Sequence, residues 1–359
     1  MTKLTNFKDD INKCSKCGLC QSVCPVYKIT GNDCAVSRGK FVMLDGVLKG
    51  DLKLNKNIDK YLDMCLKCGK CTNFCPSAID VCKIFETAKY EYTKNTLLGK
   101  IIFLMESKYV FGTFLNFFKI LTKPFRKKRQ KKSSNSLKVI YFKGCVNNLS
   151  PKTDNYLEKL FRNFDVEIIE KDFDCCGLPF LSSGNLERFE EVKQHNLKML
   201  DCDFDYILTD CASCESTLKQ YMNAEFISIG ELIEKLNIKF EFPKPIKVTF
   251  HKPCHLENDK FLEPLLKNCE NVEYVKMDDY DDCCGLAGEF ALKNPKLSKQ
   301  ISDKKAENIL KTNADYVITT CPGCILGLYQ GLITKKNPPK PVSLTDFLSK
   351  AKINNNGKV

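Results

Sequence analysis

The chain has no G-x-G-x-x-G turn, no P-loop and no other recognisable seat for a flavin or nicotinamide. Hydride abstraction from an organic substrate needs such a cofactor, so that chemistry is expected on another subunit. No apolar stretch is long and unbroken enough to span a bilayer. The nearest, residues 97–125, is interrupted by Lys100, Glu106, Lys108 and Lys119. The opening Met-Thr-Lys-Leu-Thr-Asn-Phe-Lys-Asp-Asp offers neither an apolar h-region nor a cleavage site, so a secreted disulfide framework is not expected and the cysteines are assigned to a reducing cytoplasm. Nucleic-acid motifs are missing as well. The formal net charge of +12 is dominated by residues 123–132, which carry seven positive charges, and without them the balance is +5. No nucleic-acid partner is expected.

Cysteine is what the chain has in excess, 22 of 359 residues. Eight of them form two runs, Cys14-Ser-Lys-Cys17-Gly-Leu-Cys20-Gln-Ser-Val-Cys24-Pro25 and Cys65-Leu-Lys-Cys68-Gly-Lys-Cys71-Thr-Asn-Phe-Cys75-Pro76. Each is spaced C-x2-C-x2-C-x3-C-P, the ligation pattern of [4Fe-4S] clusters. Three thiolates in a tight turn hold three corners of one cube, and the distal cysteine reaches the other cube. The spacing therefore assigns Cys14, Cys17, Cys20 and Cys75 to one cluster and Cys65, Cys68, Cys71 and Cys24 to a second. Structural zinc also uses C-x2-C pairs, but gives no reason for a duplicated four-cysteine run ending in Cys-Pro. The 40 residues between Cys24 and Cys65 contain Ser37-Arg38-Gly39-Lys40 followed by Phe41, Val42, Leu44, Val47 and Leu48 at helix-compatible spacing. Residues 1–95 thus read as an all-helical two-cluster ferredoxin.

Residues 96–136 read as a connector. Ile101, Phe103, Leu104, Phe111, Phe114, Leu115 and Phe118 fit one or two amphipathic helices, and the basic run follows directly. Two readings stay open. One is an interfacial helix with a polybasic flank, giving peripheral attachment to an anionic membrane. The other, and the commoner fate of such amphipathicity, is a packed connector with a solvated basic tail.

Beyond residue 136 the sequence repeats itself. Leu137-Lys-Val-Ile-Tyr-Phe-Lys-Gly-Cys145 matches Ile246-Lys-Val-Thr-Phe-His-Lys-Pro-Cys254. Phe173-Asp-Cys175-Cys176-Gly177-Leu178 matches Asp281-Asp-Cys283-Cys284-Gly285-Leu286. Phe204-Asp-Tyr-Ile-Leu-Thr-Asp-Cys211-Ala-Ser-Cys214 matches Ala314-Asp-Tyr-Val-Ile-Thr-Thr-Cys321-Pro-Gly-Cys324. The separations Cys145 to Cys254, Cys175 to Cys283 and Cys211 to Cys321 are 109, 108 and 110 residues, which marks an internal duplication. In the first repeat short strands (at 166–169 and 206–209) alternate with helical stretches (151–163 and 185–200), predicting a small parallel α/β sheet with cysteines at the carboxyl ends of strands. The repeats are placed at residues 137–242 and 243–350. The fold class expected for the whole chain is a multidomain α+β protein, a helical ferredoxin followed by two α/β repeats.

Cysteine, about thirty residues, Cys-Cys-Gly, about thirty-five residues and Cys-x-x-Cys is the signature of the CCG-domain iron-sulfur oxidoreductases, and both halves of the chain resemble that family. It includes the glycolate oxidase iron-sulfur subunit, a lactate-utilisation iron-sulfur protein, the C subunit of anaerobic glycerol-3-phosphate dehydrogenase, and the B and D subunits of heterodisulfide reductase. The order of parts is most similar to the glycolate oxidase subunit, as are Phe250-His251-Lys252-Pro253-Cys254-His255 and Cys283-Cys284-Gly285-Leu286-Ala287-Gly288. The resemblance implies that Cys145, Cys175, Cys176, Cys211 and Cys214 hold one additional cluster and Cys254, Cys283, Cys284, Cys321 and Cys324 another, of noncubane [4Fe-4S] type in the heterodisulfide reductase branch. It implies an electron-transfer subunit serving a partner FAD-containing 2-hydroxyacid dehydrogenase and a quinone or other carrier. The alternative is a heterodisulfide-reductase-type subunit that cleaves a disulfide at a CCG cluster. Glycolate oxidase subunits often lack one cysteine of Cys-x-x-Cys, whereas this chain keeps both in both repeats, which keeps disulfide chemistry open.

Cys34, Cys82, Cys202 and Cys269 have no spaced partner and are expected to be small buried hydrophobes. His251 and His255 flank Cys254, where they either hydrogen-bond cluster sulfurs or pack. His195, in a helical stretch, is expected on the surface.

Overall fold

The structure is a computed structural model and describes residues 3–107, 136–148 and 152–354. Two compact units partition the chain. The first comprises Met1–Phe111, Gly177–Glu191 and Asp282–Lys305, and the second Gly112–Cys176, Val192–Asp281 and Ala306–Val359.

Up to residue 107 the first unit is helical: α1 (Lys8–Asn12), α2 (Leu19–Val23), α3 (Pro25–Thr30), α4 (Ser37–Lys49), α5 (Lys56–Asp63), α6 (Lys70–Asn73), α7 (Val81–Thr93) and α8 (Leu97–Met105). Side chains cap several of them. Asn55 accepts from the Asn57 and Ile58 amides, Asp80 from Lys83, and Thr96 from Gly99. Apolar residues from α4, α5 and α7 close over the N-terminal turn, with Phe41 and Phe85 rings 5.4 Å apart among Leu4, Leu44, Leu62 and Ile84. A Cβ on Gly39 would run into the Asp33 carbonyl oxygen, so this glycine lets the start of α4 lie directly on the turn at Asp33–Ala35. The residues beyond α8 that the sequence reads as amphipathic and basic, from 108 to 135, lie outside the described residues.

The second unit holds two parallel sheets. The first orders β2 (Val166–Glu170), β1 (Leu137–Tyr141), β3 (Tyr206–Thr209) and β4 (Phe226–Ser228). The second orders β6 (Glu270–Tyr274), β5 (Lys239–Phe250), β7 (Tyr316–Thr319) and β8 (Lys340–Ser343), with β9 (Lys352–Asn354) antiparallel on β5. The duplication is visible in the clamps between strands. Asp205 accepts the Lys138 amide at 2.8 Å, and Asp315 the Lys247 amide at 2.9 Å. The pairing of β5 with β6 shifts register between Glu241 and Ile246, where Pro243 and Pro245 have no amide to donate. One apolar core runs through both sheets, with Phe242 stacked on Phe347 at 4.6 Å. Strands β4 and β8 carry no signal of their own in the sequence. They are three and four residues long, and Pro341 interrupts the second, so neither shows an alternating pattern.

Candidate metal centres

Each four-cysteine run folds with the same backbone device. Lys16 and Gly18 on either side of Cys17 are left-handed, at φ 57° and 87°, and Lys67 and Gly69 around Cys68 repeat this at 54° and 70°. A lysine there costs about 1–2 kcal/mol, a strain that recurs at the same place in both motifs. It curls the loop so that amides face sulfurs: the Leu19 N–H holds the Cys17 thiol below its usual range. The two prolines then diverge. Pro25 opens α3, whereas Pro76 starts a turn closed by the Ala78 amide on the Cys75 carbonyl at 3.0 Å.

Two cavities result, each of about 400 Å³ and partly open to solvent. Cys14, Cys17, Cys20 and Cys75 line the first, together with Cys71. Cys24, Cys65, Cys68 and Cys71 line the second. Each distal cysteine therefore meets the opposite run. The start of α4 lies on both walls, because Ser37 lines both cavities. The Ser37 hydroxyl bonds the Cys71 sulfur and the Arg38 amide the Cys20 sulfur. Burial pushes Cys20 and Cys24 up and Cys71 up to about 12, and the charge of Lys40 pulls against burial at Cys24 and Cys71. Such thiols bind as thiolates only opposite strong positive charge, and the five cysteines that line each cavity are enough for the four ligands of a [4Fe-4S] cube.

In the first repeat the strand order 2-1-3-4 puts the switch point between β1 and β3, where α/β sheets bind ligands at strand carboxyl ends. Cys145 follows β1, and Cys211 and Cys214 follow β3. Their sulfurs meet those of Cys175 and Cys176. Cys175 Sγ lies 3.7 Å from Cys145 Sγ, and Cys214 is hydrogen-bonded to Cys176 and Cys211. Gly144 is left-handed at φ 74°, and a Cβ on it would come within 3.1 Å of Cys214 Sγ. Hydrogen bonding to Cys175 and burial push the Cys145 thiol well above its usual range. Behind the sulfurs stands Asn196, fully buried. Its Oδ1 accepts the Asp174 amide at 2.9 Å, and its Nδ2 donates to the Cys175 carbonyl at 2.9 Å and to Tyr221 Oη at 3.1 Å. Tyr221 in turn donates to the Cys176 carbonyl at 3.3 Å.

The second repeat's five cysteines are divided between the units. Cys254, Cys321 and Cys324 belong to the second unit, and Cys283 and Cys284 to the first. Within the first unit Cys283 packs with Val26, Leu66 and Phe290, and Ser302 Oγ donates to the Cys284 carbonyl at 2.8 Å. Within the second, the Cys-x-x-Cys turns of the two repeats meet. The Ala212 amide donates to the Thr320 carbonyl at 2.8 Å, and Ser213 Oγ lies 3.5 Å from Cys321 Sγ and 3.0 Å from His255 Nδ1. Hydrogen bonds with Cys211, Cys324 and Ser213 hold Cys321 well below the usual thiol range, which suits a ligand thiolate. His255 thus reaches a sulfur through Ser213, while buried His251 extends β5 through its amide to the Ile318 carbonyl at 2.9 Å.

His195 is partly exposed, with a ring nitrogen 2.9 Å from the Asp172 carbonyl. The expectation for the unspaced cysteines needs correcting. Of the unspaced cysteines only Cys269 sits buried in the apolar core; Cys34 and Cys202 are half-buried. Cys82, also half-buried, lines the second thiol cavity, carried there by the first turn of α7. Sequence reasoning assigned no role to Ser37, Lys40, Cys82, Asn196 or Tyr221.

Comparison with known proteins agrees with this geometry. The cysteine-rich domain CCG matches residues 139–219 and 248–329, and the 4Fe-4S dicluster domain matches residues 10–79. The chain belongs to the CCG-domain iron-sulfur oxidoreductase family. As such it is a multi-cluster iron-sulfur protein. An uncharacterised iron-sulfur protein of Methanococcus maripaludis is 28% identical over 88% of this chain and 66% of its own length. The B subunit of the fumarate reductase (CoM/CoB) of Methanothermobacter marburgensis is 32% identical over 54% of this chain and 42% of its own. The chain thus spans less than two thirds of the length of these two relatives. The probable glycolate oxidase iron-sulfur subunit of Bacillus subtilis is 23% identical over 95% of this chain and 94% of its own length. Other relatives are named as lactate utilization protein A and as the D subunit of a heterodisulfide reductase, so the chain is related to iron-sulfur subunits of multi-subunit oxidoreductases. A hypothetical protein from Helicobacter pylori shares the fold at a TM-score of 0.52 and 10% identity, over 87% of this chain and 66% of that one. Among the described residues no helix is long and apolar enough to cross a membrane.

Proposed function

We propose that this chain is the electron-transfer subunit of a flavin-dependent dehydrogenase acting on a 2-hydroxy acid such as glycolate or lactate. In this reading Cys14, Cys17, Cys20 and Cys75 hold one cubane and Cys24, Cys65, Cys68 and Cys71 a second. The five cysteines of each repeat hold the additional clusters. When bound, these groups supply one-electron storage and transfer. The observation that carries the reading is the pair of cavities, each lined by five cysteines, that share Ser37 and Cys71 on their walls. The near full-length likeness to a probable glycolate oxidase iron-sulfur subunit supports the choice of donor. The chain's own residues hold the thiolates, direct amide and hydroxyl protons at them, and shield them with Phe41, Phe85 and Val26. An FAD-containing partner would take the hydride and release electrons singly, and a quinone or other carrier would accept them. The domain organisation that goes with this is a ferredoxin over residues 1–95, a connector over 96–136 and repeats over 137–242 and 243–350.

A second reading is favoured by one feature, the meeting of Cys211 with Cys321 where the two repeats' Cys-x-x-Cys turns adjoin. That thiol-rich face suits direct attack on a disulfide substrate. One experiment separates the readings. The anaerobically purified chain should show no glycolate- or lactate-dependent dye reduction until the flavoprotein is co-expressed. Turnover by the flavin-free chain would overturn the proposal, and a change of its visible spectrum on adding an organic disulfide would favour the second reading.

A further inference from the structure

Lys40, Lys89 and Lys305 are buried in the first unit, and the first two are treated differently. Lys89 is ion-paired twice, to Asp59 and Asp63, both at 2.6 Å. Lys40 is 2% exposed, yet among the described residues it meets no carboxylate. Its Nζ donates to the Ala35 carbonyl at 2.6 Å and stands 5.3 Å from the centre of the Phe85 ring. A dipole and a ring face stabilise an ammonium only in part, and a buried charge without a counter-ion is strongly disfavoured. The cavity that Lys40 lines carries Cys24, Cys65, Cys68, Cys71 and Cys82; the other lysine on its wall, Lys70, is already paired with Asp282 at 3.1 Å.

The other thiol set has no such neighbour. The cations beside it are Lys16, which is exposed, and Arg38, whose side chain is 31% exposed and already paired with Asp33 at 3.2 Å. Water and that carboxylate screen the guanidinium, whereas nothing comparable screens Lys40. One added electron makes a thiolate-held cluster more negative by one charge, so a fixed buried cation favours the reduced form.

We propose that Lys40 is the permanent counter-charge of the site at Cys24, Cys65, Cys68 and Cys71, and that it makes this site the higher-potential of the two. Electrons then run from the Cys14, Cys17, Cys20 and Cys75 site toward it. The inference rests on the ligation proposed above.

The test is an EPR-monitored redox titration of the anaerobic full chain with dithionite as reductant, comparing wild type, Lys40→Met and Lys40→Arg. The signal belonging to this site is the one missing from Cys68→Ala. In Lys40→Met its reduced-to-oxidised ratio at fixed potential should fall about tenfold, a shift of about 59 mV for one electron. Lys40→Arg should stay within about twofold of wild type, and the other signal should move by less than the Lys40→Met shift. Loss of iron from this site in Lys40→Met with retention in Lys40→Arg would equally support a required charge. An unshifted signal in Lys40→Met, or the same shift or loss in both variants, would overturn the inference. Absence of any [4Fe-4S] signal from wild type would instead sink the ligation on which it rests.

Discussion

Asn196 is the most sensitive point behind the first repeat's cysteines. Replacing it by leucine, which has the same number and branching of side-chain heavy atoms, would remove the bonds that Asn196 makes to the half-buried Asp174 amide and the buried Cys175 carbonyl. A buried polar group stripped of its hydrogen bond costs about 1–3 kcal/mol. Water can partly rescue the Asp174 amide, so the sum is about 2–4 kcal/mol. For a unit of this size that corresponds to a fall in thermal midpoint of roughly 5–10 °C at a fixed scan rate. The freed Cys175–Cys176 backbone should also hold metal poorly, so iron should be lost from the first repeat while the ferredoxin half keeps its about eight irons. Tyr221→Phe removes only the hydroxyl that donates to the Cys176 carbonyl, at about 1 kcal/mol. Because Asn196 also donates to that hydroxyl, the two substitutions should be non-additive, with Tyr221→Phe costing less once Asn196 is leucine. Anaerobic iron analysis, EPR and melting curves on the four proteins of this cycle provide the assay. Wild-type iron content and midpoint in Asn196→Leu would refute the reasoning.

The crossover of ligands predicts that Cys75→Ala damages the signal shared with Cys14, Cys17 and Cys20, because Cys75 lines their cavity; selective loss of the Cys65, Cys68 and Cys71 signal would count against it. Helix α8 exposes Leu97, Ile101, Leu104 and Met105 along one face, and Leu97 is 79% exposed, shortly before the basic run in the sequence. If that face and the basic run meet an anionic membrane, each basic residue adds up to about 1 kcal/mol. Neutralising Arg126, Lys127, Lys128 and Arg129 should then release the chain from anionic vesicles at low salt with its absorbance unchanged, and equal flotation of both proteins would return the segment to a packed connector.

What the sequence made legible was whatever is written over short distances. A thiolate every third residue announces a metal loop, and glycine after the middle cysteine announces a left-handed turn. Lys16 and Lys67 occupy the same kind of conformation without any such sign, since lysine has no preference for it. The duplication was legible because identical local patterns recur at nearly constant separation, and strands β1 and β3 were legible because each is a short apolar run leading to a cysteine. Residues whose partners are distant in the chain carried no such mark. Asn196 serves a carbonyl 21 residues earlier, and Asp282 is held by Lys28 and Lys70 from more than 200 residues away. Lys40 shows the limit most clearly. In the sequence it is one of many lysines, and solvent is the ordinary fate of such a side chain. Only packing α4 against Asp33–Ala35, with Gly39 permitting the approach, carries its ammonium inward without a carboxylate. A charge placed there by the fold has to be balanced by something the fold also binds, and the cysteines lining the cavity beside it would supply the anions on ionising.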